Sequence, residues 1–322
     1  MKRDKVVATL LFLLVPLLLL YRDPQLLTKT VNVLNSIPNE RLTSKRNFSV
    51  RWTPYLEELG LLNERNFVNN SQGSCYPKFV TAVTDDHLNE LDSLLKSFER
   101  CFKKKPDQRL IVYDLGMSFG TKEKLADSWT NRIILRQFNF SHYPVYTRKL
   151  TEYRWKPLII AQILFEFPGI FWVDASSVFP SDFKSLEPLL NRTRHTQSCI
   201  FLTDAYHNVG RYTYRTMFEY FPYSEEHFFY LKMHSASRIL MYRCQSVRAV
   251  LRLWVLCALE EECMAPTGSV RVCNKWTRLI KKCHRFDQSS INIILYSFYN
   301  FTDTFFSWDQ GNKIVVTEWQ TE

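Results

Sequence analysis

Residues 154–177 read RWKPLIIAQILFEFPGIFWVDASS, and this stretch decides the fold. It predicts a helix over Arg154–Phe167, with Pro157 near the start where a proline is sterically permitted. A buried strand over Ile170–Asp174 (IFWVD) follows and closes on a carboxylate. The same alternation runs outward in both directions. Phe79–Thr84 (FVTAVT) reads as a strand, and His87–Phe102 as a helix with Leu88, Leu91, Leu94, Leu95 and Phe98 at helical spacing. Arg109–Asp114, Arg132–Phe138 and Ile200–Thr203 read as further strands. Strands alternating with helices predict an α/β fold around a mostly parallel central sheet flanked by helices. In such sheets ligands bind at the carboxyl ends of the strands. The residues to read for chemistry are therefore the acidic strand ends: Asp85 and Asp86, Asp114, and Asp174.

The amino end points to a compartment. MKRDK precedes Val6–Tyr21, which carries no charge. At roughly 1.5 Å per residue this run reaches about 24 Å, short of a hydrocarbon core near 30 Å. No small-residue cleavage site follows it, so an uncleaved signal-anchor is expected, with Lys2, Arg3 and Lys5 on the cytosolic side. A short span suits the thin membranes of the endoplasmic reticulum and Golgi. Sequons at Asn47, Asn69, Asn139, Asn191 and Asn300 support lumenal exposure of the rest. So do eight cysteines, an even count that favours disulfides whose pairing the sequence leaves open. The expected organisation is a cytosolic tail at 1–5, an anchor at 6–21, a stem at 22–74 and one catalytic domain at 75–322.

Composition narrows the ligand. Eight glycines in 322 residues disfavour Gly-rich cofactor loops. The net charge of +10 fits an anionic partner, and lumenal placement removes nucleic acid from the candidates. The run from Asp114 to Gly120 (DLGMSFG) is a weak match to a methyltransferase loop, with Ser118 where the middle glycine would stand. Carboxylates, with or without a metal, remain as the means of organising a phosphate site. Asp174 begins an Asp174-Ala175-Ser176 loop in which a neutral hydroxyl occupies the position of a second carboxylate. Asp174 either binds a divalent ion, helped by Ser176 or by Asp204 or His234, or it caps the turn after its strand.

Residues 139–179, with IVYDLGMS and RQFNFSHYP upstream and CALEEECMAPTGS and CHRFDQSSINIIL downstream, closely resemble the animal domain-of-unknown-function family 1647 of anchored lumenal proteins. The order of strands, Lys-bearing helix and Asp loop also looks like the GT-A (Rossmann-like) fold of nucleotide-sugar glycosyltransferases. That second resemblance implies Mn²⁺ or Mg²⁺ as cofactor, a nucleotide sugar as donor and a glycan, protein or lipid hydroxyl as acceptor. It implies donor-binding roles for Asp85, Asp114 and Lys156, a metal at Asp174 and Ser176, and an acceptor-facing role for Asp287 and Gln288. Plainer readings stand beside these: Lys156 as a solvated helix residue, Asp287 as a helix N-cap and His234 as a surface residue. Trp52, Tyr212 and Tyr214 are candidates to stack on sugar rings, although most aromatics must lie in the core. The expectation is a lumenal glycosyltransferase, and the alternative is an inactive lectin-like or scaffold protein on the same fold.

Overall fold

A computed structural model describes residues 46–67, 76–190, 199–308 and 317–318. The expected tail, anchor and the first part of the stem, together with Asn69, Asn191 and Cys75, lie outside the described residues. The strands are β1 (Lys78–Val83), β2 (Leu110–Asp114), β3 (Ile133–Gln137), β4 (Gly169–Val173), β5 (Ser177–Val178), β6 (Ile200–Asn208), β7 (Lys232–Tyr242) and β8 (Thr317–Glu318). The helices are α1 (Thr53–Glu58), α2 (Leu88–Cys101), α3 (Phe119–Trp129), α4 (Trp155–Glu166), α5 (Gln245–Leu259), α6 (Glu261–Met264), α7 (Lys275–Leu279) and α8 (Phe286–Phe298).

Six strands form one sheet in the order β3-β2-β1-β4-β7-β6, and β5 pairs with β8 in a separate ribbon. The pairings β1–β2, β2–β3 and β1–β4 are parallel, whereas β4–β7 and β6–β7 are antiparallel. The sheet is thus mixed and mostly parallel. The expected strand at Ile200–Thr203 begins β6, but β7 was not foreseen, because KMHSASRILMY interleaves polar residues and reads as no clean buried strand. The chain enters at β1, moves outward to β3, and returns to place β4 on the other side of β1. That reversal opens a crevice at the carboxyl ends of β1 and β4.

Each face of the sheet has its own cover. On one face Phe79 of β1 meets the rings of Phe98, Phe102, Phe171 and Phe179 at centroid distances of 5.6, 4.8, 5.6 and 5.7 Å. The helical spacing of Leu91, Leu94, Leu95 and Phe98 puts all four on the buried side of α2. Helix α5 packs on both α4 and α8, with α4 against β4 and α8 against β7. Residues 46–67, within the expected stem, carry α1 and bury Trp52, Leu56, Leu59, Leu61 and Phe67. Gly60 ends this helix at φ 69°, in the left-handed region that spares glycine the usual penalty.

Arg154 joins α4 to α5. Its fully buried guanidinium donates to the carbonyls of Ala258 and Glu260 at 3.0 Å each and of Glu261 at 2.6 Å, and to Glu152 at 2.6 Å. It therefore satisfies carbonyls that the end of α5 leaves without helical partners. Three disulfides, Cys199–Cys244, Cys257–Cys263 and Cys273–Cys283, mark a body folded in an oxidising compartment. The sequon residues Asn47, Asn139 and Asn300 are all exposed. No helix among the described residues is long and apolar enough to cross a membrane.

Phe79→Ala is expected to cost about 3–5 kcal/mol, because it empties the centre of a four-ring contact. Urea unfolding followed by circular dichroism measures this, and a loss below about 1 kcal/mol would contradict the packing described.

Candidate active site

The site is built where four segments meet. Helix α4 begins beside Tyr153, whose φ of 56° turns the chain sharply into the helix. Two residues into α4, Lys156 is buried, so the expectation of a solvated helix residue does not hold. Its ammonium lies 3.0 Å from Asp174 Oδ1, 3.3 Å from Asp174 Oδ2 and 2.8 Å from Asp287 Oδ2. It also donates to the Ala236 carbonyl of β7 at 3.2 Å. One cation thus joins the start of α4, the end of β4, the middle of β7 and the start of α8.

The electrostatics follow from burial. Burial alone would lower the Lys156 pKa, but Asp174 and Asp287 outweigh it and hold the pKa above its ordinary value. Burial raises the pKa of Asp287, Asp174 adds to the rise, and Lys156 opposes it. Asp174 additionally accepts the Trp172 indole N–H at 2.7 Å. It is therefore a partner of side chains from its own strand and from α4, and its side chain does not cap the turn. Asp287 is no N-cap either: Arg285 precedes α8 without a side-chain cap, and Asp287 lies in the first turn facing inward.

This cluster forms part of the wall of a cleft of about 440 Å³. Tyr153, Ser235, Ser237, Arg271, Arg285 and Gln288 also line it. Lys156, Arg271 and Arg285 supply three cations against two carboxylates, so the lining favours an anion. The Arg285 Nε is buried without a hydrogen-bond partner. Phe286 between Arg285 and Asp287 is held at φ 43°, a conformation costly for an aromatic residue. Sequence reasoning missed Arg271 and Arg285. Arg285 lies within CHRFDQ and Arg271 two residues after MAPTGS, but nothing local distinguishes them from surface arginines.

Other expected residues lie elsewhere. Asp114 Oδ1 accepts the backbone N–H groups of Gly116 and Met117 at 2.7 and 2.5 Å, and Lys122 approaches Oδ2 at 3.2 Å. Asp85 accepts the Ser118 N–H at 3.0 Å, the bond that does most to hold its pKa below the ordinary value. These two residues lock the turn into α3, and Asp114 also lines a second cleft with Gln137, Asn139 and Arg148. Ser118 serves as the N-cap of α3, which explains it without a cofactor loop. His234 is fully buried rather than at the surface, with Asp303 at 3.5 Å and the Tyr296 hydroxyl at 3.3 Å from Nε2. Asp204 accepts the Tyr206 N–H at 2.8 Å and faces Lys232 at 3.4 Å. Neither lines the cleft, and Ser176 is half-buried outside its walls.

Trp52 is buried and donates to Glu260 at 3.0 Å, so it is no sugar platform. Tyr212 stacks on His207 at 4.1 Å, and the Tyr214 N–H donates to His284.

The metal can be tested on this donor set. Among the described residues no group of three or more His, Cys, Asp and Glu side chains could hold an ion. The space between Asp174 and Asp287 is taken by the Lys156 ammonium, and Ser176, Asp204 and His234 do not complete a ligand set there. The side chains of the described residues do not by themselves make a ligand set for a divalent cation at this cluster.

A family model described as "Protein of unknown function (DUF1647)" matches residues 27–161. The chain contains a DUF1647 domain. That match takes in Lys156 and ends before Asp174 and Asp287. No curated protein matches the sequence. Solved structures that match include the bifunctional glycosyltransferase WbbM, at 15% identity and TM-score 0.41, over 71% of this chain and 39% of that one. The galactosyltransferase LgtC with donor and acceptor sugar analogues matches at 16% identity and TM-score 0.40, over 69% and 70% of the two chains. Mouse xyloside xylosyltransferase 1 matches at 10% identity and TM-score 0.38, over 70% and 83%.

Two outcomes follow from the buried charges. Lys156→Met leaves two carboxylates together without their cation, at an expected cost of about 3–5 kcal/mol at pH 7. Asp287 has its folded pKa raised, so the folded state binds the extra proton, and stability returns as pH falls toward the ordinary carboxylate range. Thermal melts of the variant at pH 7 and pH 5 should show this partial recovery; a flat profile would contradict it. The fully buried His284 accepts from the Tyr214 N–H at 3.1 Å and donates to the Met264 carbonyl at 3.0 Å, which requires the neutral ring. Burial pushes its pKa down to about 4. A depressed folded pKa contributes stability above the unfolded value near 6.5 that is lost as pH falls toward 4, about 3 kcal/mol in all. His284→Gln should flatten the unfolding free energy over this window.

Proposed function

We propose that the protein is a lumenal glycosyltransferase that moves a sugar from a nucleoside diphosphate to a hydroxyl acceptor. One observation carries this reading: the buried Lys156 and Asp287, with the half-buried Asp174, form a cluster in a cleft beside two arginines, next to the crevice where the strand order reverses. The acceptor oxygen forms a bond to the anomeric carbon while the bond from that carbon to the diphosphate oxygen breaks. Arg271 and Arg285 meet the charge that develops on the leaving diphosphate, and planar guanidinium suits phosphate oxygens. Asp287, whose proton affinity is raised by burial, is the carboxylate placed to take the acceptor proton. Gln288 orients that acceptor, and Lys156 keeps Asp287 and Asp174 in register. Asp85 and Asp114 shape the donor side of the same sheet edge by locking the turn into α3.

A second reading, a lectin-like or scaffold protein, is favoured by Ser176 in place of a carboxylate. Titration of the full chain with UDP and GDP separates the two, with chelator or with Mn²⁺. Saturating nucleotide at a hundredfold excess over its Kd should stabilise the chain by about 2.7 kcal/mol. The shift should persist with chelator, shrink in Arg285→Ala and survive in Asp287→Asn, which should lose sugar transfer and donor hydrolysis. No shift with either nucleotide, under either condition, would sink the donor reading. Binding without turnover in the unaltered chain would favour the lectin-like alternative.

A further inference from the structure

The rim of the cleft carries a feature that the reaction does not use. Arg271, Val272 and Cys273 line the cleft, and from Cys273 the chain makes a loop, CNKWTRLIKKC, closed by the Cys273–Cys283 disulfide. Within it Trp276 is 65% exposed and Leu279 73%, with Ile280 partly exposed and Val272 63% exposed beside them. Trp276 and Leu279 stand at i and i+3 and so share one side of α7, and Ile280 follows at its C-cap. Four large apolar residues gathered on one loop form an unusual surface in a folded body.

The loop is held rigidly in this display. Asn274 and Thr277 form a reciprocal capping box, with Oδ1 accepting from the Thr277 N–H at 2.9 Å and Oγ1 accepting from the Asn274 N–H at 3.0 Å. Arg278 turns inward to the Cys273 carbonyl at 3.2 Å and the Tyr212 hydroxyl at 2.8 Å. Backbone bonds from Val270 to Lys282 and from His284 to Val270 tie the base of the loop to the body. The apolar residues are therefore presented in one conformation, with no hydrophobic cover available from within the loop.

Charge decides what covers them. Lys275 and Lys282 are exposed and form no ion pair among the described residues. Lys281 reaches the half-buried Glu225 at 3.4 Å and itself stays exposed. Exposed tryptophan and aliphatic residues flanked by lysines match the boundary between acyl chains and anionic headgroups, where apolar groups insert and cations meet phosphates. An acidic polysaccharide would use the cations and the indole face, but it would leave Val272, Leu279 and Ile280 wet.

We infer that the 271–283 loop is a membrane-docking element that inserts Trp276 and Leu279 into a lipid surface bearing anionic headgroups. Because Val272 and Cys273 belong to both loop and cleft, docking holds the mouth of the cleft at the lipid surface. On the transferase reading this favours acceptors attached to that membrane, but docking itself does not depend on that reading.

The test uses the full chain reconstituted in vesicles of phosphatidylcholine, with or without phosphatidylserine, carrying brominated acyl chains. Subtracting the fluorescence of Trp276→Phe isolates this indole from the other tryptophans, however else the chain is held in the bilayer. The expected result is loss of the Trp276 signal to bromine, greater with phosphatidylserine and reversed in Lys275→Glu/Lys282→Glu. Leu279→Ser should weaken the quenching without moving the thermal midpoint, which checks that folding is intact. A Trp276 signal that bromine leaves untouched and iodide quenches in both vesicle types overturns the inference. So does shielding by heparin but not by vesicles, which would assign the loop to an acidic glycan. A wild-type chain that is dimeric in detergent and becomes monomeric in Leu279→Ser would assign it to a second copy instead.

Discussion

The contact on which the site depends is the Lys156 ammonium between Asp174 and Asp287. Two carboxylates this close repel each other, and burial of the Asp287 charge costs several kcal/mol, whereas Asp174 keeps part of its hydration. A single cation at hydrogen-bond distance from both offsets that cost only if three backbone segments hold their positions. The start of α4, the end of β4 and the start of α8 are therefore bound into one arrangement, with the Ala236 carbonyl of β7 as a fourth support. The central strands and the cleft wall share the same electrostatic fastening.

The neighbouring backbone is shaped to this purpose. Tyr153 and Phe286 both take positive φ values, one on each side of the cluster, and both line the cleft. Such conformations persist only where surrounding contacts over-determine them. Arg154 contributes to this by fixing α4 to the end of α5, and His284 by joining the Tyr214 and Met264 backbones immediately before Arg285. The chain thus spends conformational energy at the rim of one cleft.

Much of the fold was legible because burial leaves a mark on residue order. The leucines of α2, the IFWVD run of β4 and the LIVYD run of β2 carry periodicity or continuous apolarity, and each became the expected element. The antiparallel β7 was not legible, since its Ser235 and Ser237 face a polar cleft and break the apolar pattern of a central strand. At the site, Asp174 was named as a strand end, and Lys156, Asp287 and Gln288 on the resemblance to the GT-A pattern; the fold brings the four to one cleft. Asp85 and Asp114 were, like Asp174, named as strand ends yet serve the turn into α3. A carboxylate at a strand end looks alike in sequence whether it accepts turn amides or faces a ligand.

The sequence by itself determined the alternating α/β order, the acidic strand ends, the scarcity of glycine and the cysteine count. These are local or compositional properties, and local physics is sufficient to read them. Only the tertiary structure decided that Lys156 lies between carboxylates eighteen residues and more than a hundred residues away. It also decided that Arg271 and Arg285 share their cleft, and that Trp276 and Leu279 remain uncovered. Charge pairing and burial depend on distances through space, and chain order carries almost no information about those distances until the sheet has closed.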